Sequence, residues 1–226
     1  MRRRAINLGP AEGDVVTARV AAVEARTGVQ VVTAVVAKSH TYPQLPWKAF
    51  ALGAALAGFV VVLADVLRPN WVTTFAVLLQ TFAVLAAGAT AALAVVFVPP
   101  FARVFLRPPR RDFEVRRCAE ALFLRHELFA TRERNGVLLL LSLFERAVLI
   151  LPDRGYADRV ADADWHRVVA AMTPLLHEGR AADALLSGLA ALEAMLLAKA
   201  FTGVAGGANE LPDPPIDTHA DAGGQA

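Results

Sequence analysis

A single cysteine, Cys118, in 226 residues excludes an intramolecular disulfide and fits a reducing compartment. There is no Cys/His spacing of the zinc-binding kind. No Gly-rich phosphate loop occurs, and Ser142 sits within a predicted strand without the Gly-x-Ser-x-Gly turn of a hydrolase nucleophile. His126, His166 and His177 fall on separate predicted elements with no i,i+4 pair, so they read as core or surface residues. The N-terminus is basic at Arg2, Arg3 and Arg4, but residues 5–14 contain Asn7, Gly9, Pro10 and Glu12 and offer no apolar stretch for a cleaved signal. Charge is missing altogether from Trp71 until Arg103.

That last absence points to what is present. The chain is 56% hydrophobic with mean hydropathy +0.45, above the apolar share of ordinary soluble domains. Its excess is concentrated in residues 49–98, which a polar break at Arg68, Pro69 and Asn70 divides in two. Crossing ~30 Å of hydrocarbon takes ~20 apolar residues in a helix. Residues 49–67 meet this with one acid, Asp65, and residues 71–98 meet it with room to tilt. Backbone groups in lipid must pair internally, so both spans are expected to be helical. Gly53, Gly58 and Gly88 would let the helices approach closely. Asp65 is either an intramembrane ion or proton site or an interfacial acid paired locally with Arg68; its place near the span's end favours local pairing. Trp47 and Trp71 suit interfacial belts. Lys38 and Lys48 precede the hairpin, and Arg103, Arg107, Arg110, Arg111, Arg116 and Arg117 follow it. By the positive-inside rule both flanks, hence both termini and the soluble domain, are cytoplasmic on a plasma (inner) membrane. With few interleaved aromatics, Arg103, Arg107, Arg110 and Arg111 read as contacts to anionic lipid headgroups and not to nucleic acid.

The flanks carry alternating helix and strand patterns. A short helix over residues 14–26 places Val15, Val16, Val20 and Val23 on one stripe and ends at Gly28. Residues 29–37 (VQVVTAVVA) form a strand buried on both faces. Pro43 and Pro46 stop regular structure before the membrane. After Pro108 and Pro109, a helix runs over residues 113–134 and ends at Asn135 and Gly136. Strands follow at residues 136–144 and 147–151, turning at Glu145 and Arg146. Asp162 or Asp164 caps a helix reaching His177, with Trp165 in its first turn. Residues 181–201 form an Ala/Leu-rich helix whose spread charges Asp183, Glu193 and Lys199 argue for a domain helix over a third span. Gly, Pro and Asp dominate the remainder, as in a disordered tail. A lone strand cannot bury two faces, so residues 29–37 must join the later strands. The fold class expected is therefore α/β (α+β): a small sheet flanked by helices, with an inserted two-helix transmembrane hairpin. Residues 1–46 give its first helix and strand, 47–107 the hairpin, 108–202 the rest, and 203–226 the tail.

These segments resemble TPM-domain proteins. EARTG, ending at Gly28, before VQVVTAVV looks like their opening helix and first strand. RERNG, ending at Gly136, before VLLLLSLFERAVLI, then Asp153, Arg154 and Gly155 and a helix with Trp165, looks like their central hairpin and third helix. GRAADAL from Gly179 and NELPD from Asn209 resemble the last helix and the tail of a bacterial integral-membrane branch. The resemblance implies an α/β sandwich with a small central sheet. It also implies roles in assembling or modulating membrane complexes, with divalent-metal-dependent phosphatase activity or calcium binding proposed for some members. Where the family frequently carries an acid before Asn-Gly, this chain has Arg134.

Asp153, Asp158, Asp162 and Asp164 are the acidic cluster after the hairpin, able in principle to offer oxygen ligands to Ca²⁺ or Mg²⁺. Their spacing matches no calcium loop, and capping and turn roles explain them as well. Arg134, Asn135, Gly136, Arg154, Gly155 and Tyr156 form loops that serve either partner recognition or simple strand-to-helix turns. The arginines beside Cys118 could lower its pKa, although a lone helical cysteine is more often inert. The expected function is a membrane-anchored accessory protein, bound to the lipid bilayer and a membrane protein partner and not to nucleic acid. Alternatives are a divalent-metal-dependent phosphatase and a homo-oligomer assembled in the bilayer around Asp65.

Overall fold

The structure is a computed structural model that describes residues 8–67, 73–106, 108–201, 210, 211 and 214–217. The chain divides into two compact units, Met1–His40 together with Asp112–Ala226, and Thr41–Arg111.

The first unit is built on a mixed sheet. Helix α1 (Pro10–Thr27) starts with Pro at its first position, where no N–H is needed, and ends at Gly28 in the left-handed region at φ 71°. Strand β1 (Gln30–Val36) pairs in parallel with β2 (Gly136–Ser142), in register from Gln30 opposite Gly136 to Val36 opposite Ser142. Strand β3 (Ala147–Pro152) returns antiparallel to β2, and the two-residue β4 (Ile216–Asp217) adds to the free side of β1, giving the order β3-β2-β1-β4. A parallel pair needs a crossover of at least roughly a dozen residues. Here that crossover contains the whole Thr41–Arg111 unit.

Both faces of the sheet are covered, which is why β1 and β2 read as unbroken apolar runs. Val31, Val35, Val137, Leu139 and Leu141 pack toward α1, α6 (Asp162–His177) and α7 (Ala181–Ala198). Val32, Ala34, Val36, Leu138 and Leu140 pack toward Val115, Ala119 and Leu122 of α5 (Pro108–Arg125). Each fully buried leucine of β2 contributes ~1.5–3 kcal/mol relative to exposure. Glu193 of α7 is buried and ties α1 down by pairing with Arg19 and, at 2.6 Å, Arg26. Helix α7 is long and apolar enough to cross a membrane, yet Leu185, Leu189, Leu192 and Leu196 are wholly enclosed in the domain core.

The second unit contains α2 (Gln44–Leu67), α3 (Thr74–Phe97) and the short α4 (Pro99–Val104). Both α2 and α3 are long and apolar enough to span a bilayer. They run antiparallel with close backbone approach: a Cβ on Gly88 would lie 2.9 Å from the Phe50 ring and 3.0 Å from its carbonyl O, and one on Gly53 would lie 2.8 Å from the Ala91 Cβ. Gly58 does not share this role, having open space where a Cβ would stand. Phe59, Val66, Phe75, Leu78 and Phe82 are exposed along the pair, an apolar surface of a kind that water does not favour.

Several boundaries differ from those expected. Pro43 and Pro46 do not hold off the helix; α2 starts at Gln44 and takes Pro46 into its first turn, where a missing N–H costs nothing. Pro108 and Pro109 likewise open α5 instead of preceding it. That helix ends at Arg125 and not near residue 134, because Glu127 turns left-handed (φ 51°) and a 3₁₀ turn at Leu128–Ala130 follows. The tail expected over residues 203–226 lies largely outside the described residues. Within it, β4 pairs with β1, and the Gln30 side-chain carbonyl accepts the Glu210 and Leu211 amides. Arg68, Trp71 and Arg107 also lie outside the described residues. The acid expected to pair with Arg68, Asp65, accepts from the Gln80 amide of α3 at 3.1 and 3.2 Å.

Candidate functional site

Three loops meet where β1 and β2 begin and β3 ends. They are the α1–β1 turn at Gly28, the stretch from Thr131 to Asn135, and the turn after Pro152. Arg134 stands in the left-handed region at φ 54°, a conformation uncommon outside glycine. The surroundings fix it there. Its guanidinium meets Asp153 in a two-pronged pair, Nε to Oδ2 at 2.7 Å and Nη2 to Oδ1 at 2.9 Å. Its carbonyl accepts the Gly155 N–H at 2.9 Å and its own N–H donates to the Thr131 carbonyl at 3.1 Å. Gly155 is required by this approach, since a Cβ there would lie 2.6 Å from the Arg134 carbonyl O and 2.9 Å from that of Glu133. Gly155→Ala is expected to cost ~1–3 kcal/mol through overpacking, read as a shifted urea midpoint.

Asn135 joins all three loops. Its side-chain amide donates to the Gly28 carbonyl at 2.8 Å, its N–H donates to Thr131 Oγ1 at 3.1 Å, and its carbonyl accepts the Tyr156 hydroxyl at 2.6 Å. Tyr156 is buried between Trp165, edge-on at 5.4 Å, and Phe201 at 5.5 Å. Burial first, and the nearby Asp153 charge second, push its hydroxyl far above the usual tyrosine range, so it remains a donor. Hydrogen bonding to Asp153 raises the Arg134 pKa further, keeping the guanidinium charged. The structure therefore brings Arg134, Asn135, Gly136, Arg154, Gly155 and Tyr156 together around Asp153, with the Arg154 N–H donating to Asp153 Oδ1 at 2.8 Å.

It does not bring the four aspartates together. Asp153 is engaged by Arg134. Asp164, buried at the start of α6, accepts from Arg167 at 2.6 Å, Lys199 at 2.9 Å and the Ala161 N–H at 3.2 Å. It caps the helix from the third position, the N-cap itself being Ala161. Asp158 and Asp162 are exposed. Among the described residues no group of three or more His, Cys, Asp or Glu is placed to hold a metal ion. Cationic side chains stand against two of the four acids, Asp153 and Asp164.

The hydrogen bond from Lys199, ahead of smaller contributions from the Ala161 amide and the charges of Lys199 and Arg167, holds the Asp164 pKa below the ordinary carboxylate value, against the opposing effect of burial. A depressed folded-state pKa gives stability that is present above the unfolded value and lost as pH falls through the folded one. The urea midpoint should accordingly drop on acidification below about pH 4. Lys199→Met should shrink the share of that loss that Asp164 contributes, because its folded-state pKa moves back toward the unfolded one, while leaving the pH dependence above about 6 unaltered.

At the opposite end of the sheet lies a second polar cluster with no short motif in the sequence. Ser39 Oγ donates to Ser142 Oγ at 2.8 Å, Ser142 donates in turn to the buried Glu145 carboxylate, and the Ser39 N–H donates to the same carboxylate at 3.2 and 3.3 Å. Leu143 and Phe144 extend β2's pairing by donating to the carbonyls of Val36 and Ala37, so the turn to β3 spans residues 143–146, longer than the two residues expected. Lys38 lies 4.7 Å above the Phe144 ring and is pushed below its usual pKa by burial, against the pull of Glu145. Cys118 is raised, not lowered: burial and the Glu145 charge outweigh a hydrogen bond from Ser39, so the neighbouring arginines do not make it a reactive thiolate. The cluster clamps the end of β1 to the β2–β3 turn.

A small mixed sheet with three helices on one face and one on the other, its first crossover carrying an apolar helical hairpin, defines an α/β domain class. A model of the TPM domain matches residues 60–195, more than half of the chain, and the protein belongs to the TPM-domain family. The fold is similar to that of the BA42 protein from the psychrophilic bacterium Bizionia argentinensis, solved by NMR, with a TM-score of 0.58 and 14% identity over 96% of this chain and 99% of that one. No curated protein matches.

Proposed function

We propose that this protein is a membrane-anchored TPM-domain accessory protein that binds a membrane protein partner and assists assembly, modulation or quality control of its complexes. In this reading α2 and α3 cross the plasma membrane, and both termini and the sheet-bearing unit face the cytoplasm. The observation that carries it is the exposed apolar surface of the α2–α3 pair, which only a non-aqueous surrounding accommodates without penalty. The orientation rests on the arginines and lysines flanking the hairpin. The partner-facing candidate is the loop group of Arg134, Asn135, Gly136, Arg154, Gly155 and Tyr156. It is rigidly braced, and Arg154 within it is exposed.

A photo-crosslinker at Arg154, followed by pull-down from mild detergent, is expected to capture one membrane protein reproducibly. A crosslinker at exposed Glu120 on α5 should not capture it. Metal-dependent hydrolysis of a phosphate ester that disappears with Asp153→Asn would overturn the non-enzymatic reading in favour of a phosphatase. A C-terminal reporter active only outside the cytoplasm would overturn the orientation. Native mass of the solubilised protein decides whether the bilayer form is a homo-oligomer.

A further inference from the structure

The Thr41–Arg111 unit holds a cavity of about 360 Å³ where the start of α2 meets the junction of α4 and α5. Lys48 and Arg110 contribute cations, Gln44 an amide, and Leu45, Phe105 and Leu106 an apolar lining. Leu45 is almost completely buried, whereas Lys48 and Arg110 are exposed. The lining thus combines apolar and cationic side chains. Along α2 the apolar stretch begins directly after Lys48, at residue 49. Lys48 therefore stands where a bilayer's hydrocarbon would give way to headgroups.

We propose that this cavity is a binding site for the phosphate headgroup of an anionic phospholipid, with Lys48 and Arg110 meeting the phosphate, Gln44 donating to an ester or glycerol oxygen, and the first acyl carbons lying on Leu45, Phe105 and Leu106. Guanidinium and ammonium groups suit phosphate oxygens, and the apolar lining gives no benefit to a free inorganic ion. The same phosphate chemistry is available from lipid or from solution; the apolar lining and the place on α2 favour lipid. The proposal rests on the reading of α2 and α3 as bilayer spans. Resistance to alkaline carbonate extraction tests that reading separately, so the lipid site can fail while the spans stand.

The test is native mass spectrometry of the full chain in detergent, titrated with phosphatidylglycerol or phosphatidylcholine. One phosphatidylglycerol is expected to remain bound in preference to phosphatidylcholine. A basic residue near anionic lipid is worth about five-fold in affinity, so Lys48→Gln/Arg110→Gln should weaken retention roughly 25-fold. Arg103→Gln/Arg111→Gln removes the same charge from outside the cavity lining, where it would meet headgroups only generally, and should weaken retention of the one bound lipid clearly less than the cavity pair does. Lys48→Arg/Arg110→Lys should keep it, and the single variant Lys48→Gln, at an exposed position, provides a folded intermediate case. Equal loss in the Arg103/Arg111 variant would reduce the effect to general surface charge and overturn the proposal. So would displacement of the lipid by millimolar inorganic phosphate, or equal retention of the two lipids.

Discussion

Tyr156→Ala is expected to lower stability by ~3–5 kcal/mol, the range for deleting a fully buried aromatic side chain. In a chain of this size that is a fall in melting temperature of roughly 6–20 °C. The ring is buried and packed against Trp165 and Phe201, so its removal leaves a cavity between them. Tyr156→Phe separates packing from hydrogen bonding. It keeps the ring and removes only the donor to the Asn135 carbonyl, which retains the longer contact from the Gln30 N–H at 3.4 Å. Its cost should be about 1 kcal/mol. If the phenylalanine variant melts as low as the alanine one, the hydroxyl and not the ring is the main support. Because Asn135 also holds Gly28, Tyr156→Ala should loosen all three loops together, and crosslinking from Arg154 should fall with it.

What could be read from the sequence follows physical lines. The two long helices α2 and α3 were legible because each is an apolar run of about the length that a bilayer-spanning helix needs. That β1 joins the sheet of the later strands was legible because a lone apolar strand cannot bury both of its faces; that its partner is β2 was not. The glycine at position 28 announced the end of α1 through the left-handed turn only glycine makes easily. By contrast, α5 stops at a glutamate in that same conformation, Glu127, which carries no such signal. The prolines at 46, 108 and 109 look like stops in the sequence, although a proline in a helix's first turn is harmless. Strand β4 is two residues long, too short to show an alternating pattern. The Ser39–Ser142–Glu145 clamp joins positions separated by 106 residues, and nothing local marks it. The pairing of Arg134 with Asp153 was hidden for the same reason: the sequence offered Asp153 as one of four neighbouring acids, and the fold gave it a cation from another loop.

That pairing supports the second large effect. TPM-domain proteins, as the resemblance has it, often carry an acid where this chain has Arg134. Arg134→Glu would remove the guanidinium from a buried carboxylate and set a second carboxylate in its place, with Asp153 enclosed and unable to recover water. The melting temperature should drop by roughly 5 °C or more. Two carboxylates and the carbonyls of this turn are oxygen donors of the kind a hard divalent cation takes. Millimolar Ca²⁺ should therefore restore part of the loss in the variant, by binding the folded state alone, and leave the parent protein unchanged. Arg134→Gln is the control: it loses the cation without adding an acid, so it should be destabilised but insensitive to Ca²⁺. Stabilisation of the parent protein by Ca²⁺ would mean that the Arg134–Asp153 pair opens for metal, and the guanidinium would then be a gate on that carboxylate and not its permanent partner.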